Sequence, residues 1–159
     1  MNTAIYPGTF DPITHGHLDI IERACNIFDK VFIAVALNEE KRPLFSLEER
    51  QEMIRTNLSD NVKIEVCSFN ILLVRYAKEV GANTIVRGLR AVSDFEFEFK
   101  LTQMNRHLDD EVETIFLMHR QEYFFTSSQL IKQVARLGGE IDRLVPKNVS
   151  LSLKERFKQ

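Results

Sequence analysis

Residues 6–21 read YPGTFDPITHGHLDII. The apolar run TAIY, from residue 3, enters a segment holding two prolines, two glycines and two histidines, and an apolar sequence of helical period follows. Proline and glycine are what a strand-to-helix turn requires. Histidines and a threonine are not, so the junction predicts a ligand site at the end of a strand.

The same alternation continues outward. GHLDIIERACNIF carries Leu18, Ile21, Ala24, Cys25 and Phe28 on one helical stripe, and KVFIAVAL is a β-branched strand. NEEKRPLF reads as loop, and Ser46 with Glu49 forms a capping box ahead of the helix LEERQEMIRTNL. VKIEVC is a third strand, ILLVRYAKEVG a helix closed by Gly81, and NTIVRG a fourth strand. Ser93 and Glu96 suggest a second capping box before DFEFEFKLTQMNRHL, whose length favours helix over strand and puts Phe95 and Phe99 on one face. ETIFLM is a fifth strand, SSQLIKQVARLGG a helix ended by glycines, and the rest an amphipathic helical tail. Strand and helix alternating with short connections predict an α/β chain. The expected architecture is a single Rossmann-like, doubly wound, five-stranded parallel sheet, with helices on both faces and a C-terminal helical tail, in one domain over residues 1–159.

At 159 residues the chain is long enough for one sizeable core. A net charge of -2 argues against nonspecific coating of nucleic acid, while leaving room for a local basic pocket. Pro7, Gly8 and Asp11 interrupt any signal-peptide pattern, and no apolar run is long enough to span a bilayer, so a cytoplasmic protein is expected. Cys25 and Cys67 lie outside any CxxC pattern and read as reduced thiols.

Doubly wound sheets bind ligands at the carboxyl ends of their strands. The residues that folding does not need fall there: Thr9 after the first strand, Lys41 after the second, Arg87 after the fourth, and residues 123–129 after the fifth. His17 stands at a helix start, where free N–H groups suit phosphate and an imidazole can donate to a phosphoryl oxygen. His15 reads as a cap or solvent-facing residue, and the histidine pair lacks further ligands for a metal site. Arg87 and Arg90, with Gly88 between them, offer forked donors to a phosphomonoester or polyphosphate. Thr126, Ser127 and Ser128 supply one helix cap and a potential phosphate cradle. No nucleophile stands beside a base, which points to phosphoryl or nucleotidyl transfer by positioning and charge stabilisation.

YPGTFDPITHGHLDII, LEER, IVRGLRAVSDFEFE, MNRH and TSSQLIK, in this order and spacing, resemble the bacterial phosphopantetheine adenylyltransferases. The resemblance runs from residue 4 to about residue 149 and includes the T-x-G-H element of the wider nucleotidyltransferase superfamily. It implies one adenylyltransferase domain that joins ATP to 4'-phosphopantetheine, with Mg²⁺ as cofactor, a homohexamer as assembly, and feedback by coenzyme A as a regulatory possibility. It also implies roles by position. His17, Thr9, Lys41 and Arg90 are the expected catalytic set. Thr9, Lys41, Leu73 and Arg87 would hold phosphopantetheine. ATP would contact Thr9, Phe10, His17, Gly88, Leu89, Arg90, Glu98, Tyr123, Phe124, Phe125, Thr126, Ser127, Ser128 and Gln129. The chain departs from the family pattern at Ile71, Arg75, His119, Phe124 and Gln129. A sister mononucleotide adenylyl- or cytidylyltransferase, a non-catalytic nucleotide sensor and a ligand-free structural subunit are the competing readings. The TSSQLIK run continues with Lys132 where the sister enzymes usually carry arginine.

Overall fold

The computed structural model describes residues 2–37, 42–58 and 60–158. Five strands and six α-helices alternate: β1 Thr3–Gly8, α1 His15–Ile27, β2 Lys30–Ala36, α2 Leu47–Leu58, β3 Ile64–Phe69, α3 Leu73–Glu79, β4 Thr84–Leu89, α4 Val92–Leu108, β5 Glu113–Met118, α5 Ser128–Arg136 and α6 Lys147–Arg156. A short 3₁₀ turn at Gln121–Tyr123 lies between β5 and α5. The strands are all parallel, in the order β3-β2-β1-β4-β5. β1 is central, and the winding direction reverses between β1 and β4. The loops leaving these two strands therefore diverge and open a crevice at their carboxyl ends.

The two-residue period of the strands divides the core. Tyr6, Val31, Ile33, Val35 and Val86 face a cluster completed by α1, α2, α5 and α6. Ile5, Phe32, Ala34 and Ile85 face the other side, where α3 packs through Val74 and Ala77. Burial on both faces explains why β1 and β2 read as nearly unbroken apolar runs. The helical tail is α6, sealed into the first cluster by Val149 and Leu153. Cys25 and Cys67 are both free thiols. Among the described residues no helix is long and apolar enough to cross a membrane.

The first predicted capping box forms as expected: Ser46 N–H donates to Glu49 Oε2 at 2.7 Å, and Glu49 N–H to Ser46 Oγ at 3.2 Å. The second does not. α4 begins at Val92, so Ser93 already lies inside the helix, and Asp94 does the capping by accepting from the N–H groups of Arg90 and Ala91. Two residues of register decide this, because the cap must precede the first helical residue and here it is Ala91. The FEFEF alternation is helical, and Phe95 and Phe99 lie side by side with ring centroids 5.7 Å apart. Phe95 also meets Phe116 of β5 edge-on. In urea denaturation, Asp94→Ala is expected to lower the unfolding free energy by about 1 kcal/mol, whereas Ser93→Ala stays within about 0.5 kcal/mol of the parent. Equal losses in the two variants would return the cap to Ser93.

Candidate active site

The loop leaving β1 is held by its own side chains. Asp11 is almost fully buried and accepts three hydrogen bonds: from Leu44 N–H and Phe45 N–H, both at 2.9 Å, and from Lys132 Nζ at 2.5 Å. One carboxylate thereby joins the loop after β1, the loop after β2 and helix α5. Arg50 of α2 supports the same corner from below. Its buried guanidinium donates to the carbonyls of Thr9 (2.7 Å), Ala36 (3.1 Å) and Ser46 (3.3 Å), fixing the ends of β1 and β2. Burial pulls the pKa of Arg50 down, and the nearby charge of Asp11 opposes that pull.

Left-handed backbone in this loop falls on Phe10, at φ 48°, rather than on Gly8. Gly8 is needed for a different reason. A Cβ there would stand 3.0 Å from the Phe10 ring, so the missing side chain is what lets that ring fold back. Phe10 then lies edge-on to Tyr6 and to His17, with centroids 5.5 and 5.1 Å away. An unfavourable φ at an aromatic residue is tolerated because packing over-determines it.

His17 closes the cap of α1. Its backbone N–H donates to Thr14 Oγ1 at 3.3 Å, and Thr14 N–H donates back to His17 Nδ1 at 3.1 Å. A ring nitrogen that accepts from a backbone amide carries no proton, so the neutral ring carries its proton on Nε2. Burial, then the nearby His119 and the charges of Arg90 and Arg87, push the pKa of His17 down to about 3. The imidazole is thus a neutral, single-tautomer hydrogen-bond donor.

At the end of β4, Arg87 is clamped by α4. Nε donates to Glu98 Oε2 at 2.6 Å, Nη2 to Oε1 at 2.5 Å, and Nη1 to the Pro7 carbonyl at 3.2 Å. Burial disfavours the charge, but the hydrogen bonds and charge of Glu98 outweigh it and Arg87 stays firmly protonated. Arg90 is half-exposed and pairs with Asp94 at 3.3 Å. Tyr6, buried beneath them, is held un-ionised by its burial, against the pull of both arginines.

These groups line one cavity of about 680 Å³ between the carboxyl ends of β1 and β4. Of the residues anticipated from the sequence, the cavity wall contains Thr9, Phe10, His17, Arg87, Gly88, Arg90, Glu98, Thr126, Ser127, Ser128 and Gln129. Leu89, Tyr123, Phe124 and Phe125 are not part of that wall; Phe124 and Phe125 are exposed and pack edge-on against each other. Leu73 is also outside it, at the start of α3 and packed on the opposite face of the sheet. Lys41 falls outside the described residues.

Two hydroxyls of the anticipated phosphate cradle spend their protons elsewhere. Thr126 Oγ1 donates to the Tyr123 carbonyl and Ser128 Oγ to the Pro12 carbonyl, both at 2.7 Å. Ser127 is the cap, accepting from Leu130 N–H at 3.1 Å. The donors left for an anion at this helix start are backbone N–H groups and the Ser127 hydroxyl proton, which the cap bond does not use.

Sequence reading overlooked Arg50 and the Asp11–Lys132 pair, and it marked His119 only as a departure from the family pattern. The signal for Arg50 is a cation inside LEER on a helix that should face the core. His119 follows β5, and its ring lies over two glycines. A Cβ at Gly16 would stand 3.0 Å from Nδ1 and one at Gly88 would stand 2.5 Å from Nε2. Thr126 Oγ1 also crowds the space above Gly16. The close approach at Gly16 is therefore occupied by protein, and His119 Nδ1 is buried there without a hydrogen-bond partner among the described residues.

Residues 5–134 match the family model for cytidylyltransferase-like proteins. Over its full 159 residues the chain is 50% identical to a phosphopantetheine adenylyltransferase of Caldanaerobacter subterraneus subsp. tengcongensis, covering 99% of that protein. The fold also matches the crystal structure of a putative nicotinate-nucleotide adenylyltransferase from Vibrio parahaemolyticus. That match has a TM-score of 0.71 at 18% identity and covers 97% of this chain and 99% of the other, a likeness of fold alone. With half of its residues identical along the whole length and the strand-end cavity in position, the chain belongs to the phosphopantetheine adenylyltransferases, within the cytidylyltransferase-like nucleotidyltransferases.

Proposed function

We propose that this chain transfers the adenylyl group of ATP to 4'-phosphopantetheine, giving 3'-dephospho-coenzyme A and pyrophosphate, the penultimate step of coenzyme A synthesis. The observation that carries the chemistry is the neutral His17 imidazole, fixed as a donor beside Arg87 and Arg90 in one cavity. A phosphate oxygen of phosphopantetheine attacks the α-phosphorus of ATP, and the bond to the bridging oxygen breaks as pyrophosphate leaves. A phosphomonoester has a second pKa near 6, so at neutral pH the nucleophile is already mostly dianionic and needs no base.

Catalysis then consists of bringing two anions together and stabilising charge where it develops. Arg87, with Thr9 and Lys41, is assigned to the phosphate of phosphopantetheine, and Leu73, outside the cavity wall, is left only the far end of its arm. Thr9 and His17 donate to the α-phosphate, and Arg90 offsets its growing charge. Phe10, residues 88–90 and residues 123–129 are assigned to ATP, and the start of α5 offers its phosphates backbone N–H groups and the Ser127 hydroxyl.

Mg²⁺ is the proposed cofactor, supplying charge neutralisation to the triphosphate. The described residues do not provide a cage for it. Among the described residues no three metal-binding side chains cluster, and the cavity carboxylates Asp11 and Glu98 are already engaged by Lys132 and Arg87. The ion is therefore assigned to the phosphates of ATP. A cytoplasmic homohexamer subject to coenzyme A feedback is the proposed setting, supported by the exposed Phe97, Phe99 and Met104 along α4, which subunit packing would cover.

Pyrophosphate release from ATP and Mg²⁺ should depend on phosphopantetheine and fall by roughly a hundredfold to a thousandfold in His17→Ala. Release supported equally by a nucleoside monophosphate would favour a sister enzyme. ATP binding with no release would favour a sensor.

The neutral imidazole has a second consequence. Its folded pKa of about 3 lies below the ordinary 6.5, so below pH 6.5 the unfolded chain binds a proton that the native chain refuses. This contribution to stability is complete above pH 6.5 and is lost as pH falls toward 3. Between pH 6 and 4 the unfolding free energy should drop about 1 kcal/mol per pH unit more steeply than in His17→Gln. Parallel curves for the two proteins would mean that His17 is charged in the native state.

A further inference from the structure

Helix α4 runs for 17 residues, and the only ones it buries are Glu98 and Asn105. Its aromatic side chains Phe95, Phe97 and Phe99 are left substantially exposed. A helix that turns a carboxylate inward and phenylalanines outward contradicts ordinary amphipathic design. A buried carboxylate is retained only where a partner compensates its desolvation. Here the partner is Arg87, and the two side chains are 22% and 11% exposed at their contact.

A guanidinium has five N–H groups. Glu98 takes one on Nε and one on Nη2, and the Pro7 carbonyl takes one on Nη1. One N–H remains on each terminal nitrogen. Adjacent donors on two nitrogens of one rigid plane match two oxygens of a phosphate. Without Glu98 the guanidinium would be free to turn about its own side-chain bonds, and burial would work against its charge. With Glu98 the plane is locked in the wall of the cavity, and its two unused N–H groups keep fixed directions. Both carboxylate oxygens are spent in doing so, which leaves Glu98 poorly equipped to be an independent ligand of ATP.

We propose that Glu98 is a positioning residue for the acceptor substrate: it orients the Arg87 fork toward the phosphate of phosphopantetheine and acts on that phosphate through Arg87 rather than on ATP. This rests on the function proposed above. It reassigns to the acceptor side a residue that the family resemblance groups with the nucleotide.

The test uses Glu98→Gln, which keeps size and shape while removing the charge and one acceptor oxygen. Steady-state pyrophosphate release and direct ATP binding are measured for the parent, Glu98→Gln, Arg87→Ala and the double variant. The KM for phosphopantetheine is expected to rise about tenfold or more in Glu98→Gln, while the ATP dissociation constant stays within about twofold. Adding Glu98→Gln to Arg87→Ala is expected to raise that KM by less than about twofold further, because the residue through which Glu98 acts is gone. Intact ATP binding shows that the variants are folded. Weakened ATP binding with an unchanged phosphopantetheine KM would overturn the proposal and return Glu98 to the nucleotide. Multiplying effects in the double variant would overturn it in favour of an independent role. Failure of the function itself would appear in the parent protein, as absence of phosphopantetheine-dependent release, and would remove this role with it.

Discussion

The reciprocal hydrogen bonds between Thr14 and His17 are the constraint on which the site depends. A helix N-terminus must satisfy its free N–H groups, and most helices do so with groups that have no other task. In α1 the return half of the cap is an imidazole. The bond that starts the helix also selects the tautomer of the ring and commits Nδ1 as an acceptor. Chemistry and folding thereby share one interaction. Phe10 and Tyr6 pack around the ring, and Arg87 and Arg90 discourage its protonation. His17 is consequently suited to donate a hydrogen bond and poorly suited to transfer a proton, as expected where the nucleophile arrives already ionised.

The cations of the cavity follow a related logic. Arg87 is backed by Glu98, Arg90 by Asp94 and Lys132 by Asp11. Each acid holds its cation in place, which matters because two anionic substrates gain most from donors that do not have to reorganise. Asp19 does comparable work behind the site, buried in α1 and paired with Arg23 at 3.2 Å and with Arg120 at 2.9 Å, so that the segment after β5 is tied to the helix bearing His17. Arg50 is the exception among these cations. Its hydrogen bonds all go to backbone carbonyls, so its charge is not cancelled by a bound carboxylate and adds positive potential beneath the Thr9 corner.

Much of this was legible in the sequence because it depends on local rules. Strand and helix periods set the element order, and the unusual residues at strand ends led to the edge of the sheet where the cavity opens. Ser46 and Glu49 cap as their spacing implies. What the sequence concealed is contact between distant segments. Asp11 and Lys132 are 121 residues apart and Arg50 reaches Thr9 across 41, so no window of periodicity contains either pair. Glu98 could be read from the resemblance as a site residue, but its engagement with Arg87 needed β4 and α4 side by side.

The glycines make the same point in reverse. Gly8, Gly16 and Gly88 look like conformational devices in a one-dimensional reading, yet left-handed backbone among the described residues occurs instead at Phe10, Arg42, Gly81 and Gly138. What the first three provide is clearance, for the Phe10 ring at Gly8 and for the His119 ring at Gly16 and Gly88. The imidazole of His119 fits only because both neighbouring positions lack a Cβ. A methyl group at Gly88 would require that ring to leave its position. The ring's second approach, to Gly16, brings it to the first turn of the helix that His17 caps, so a change of size at Gly88 reaches the cap of α1 without touching it.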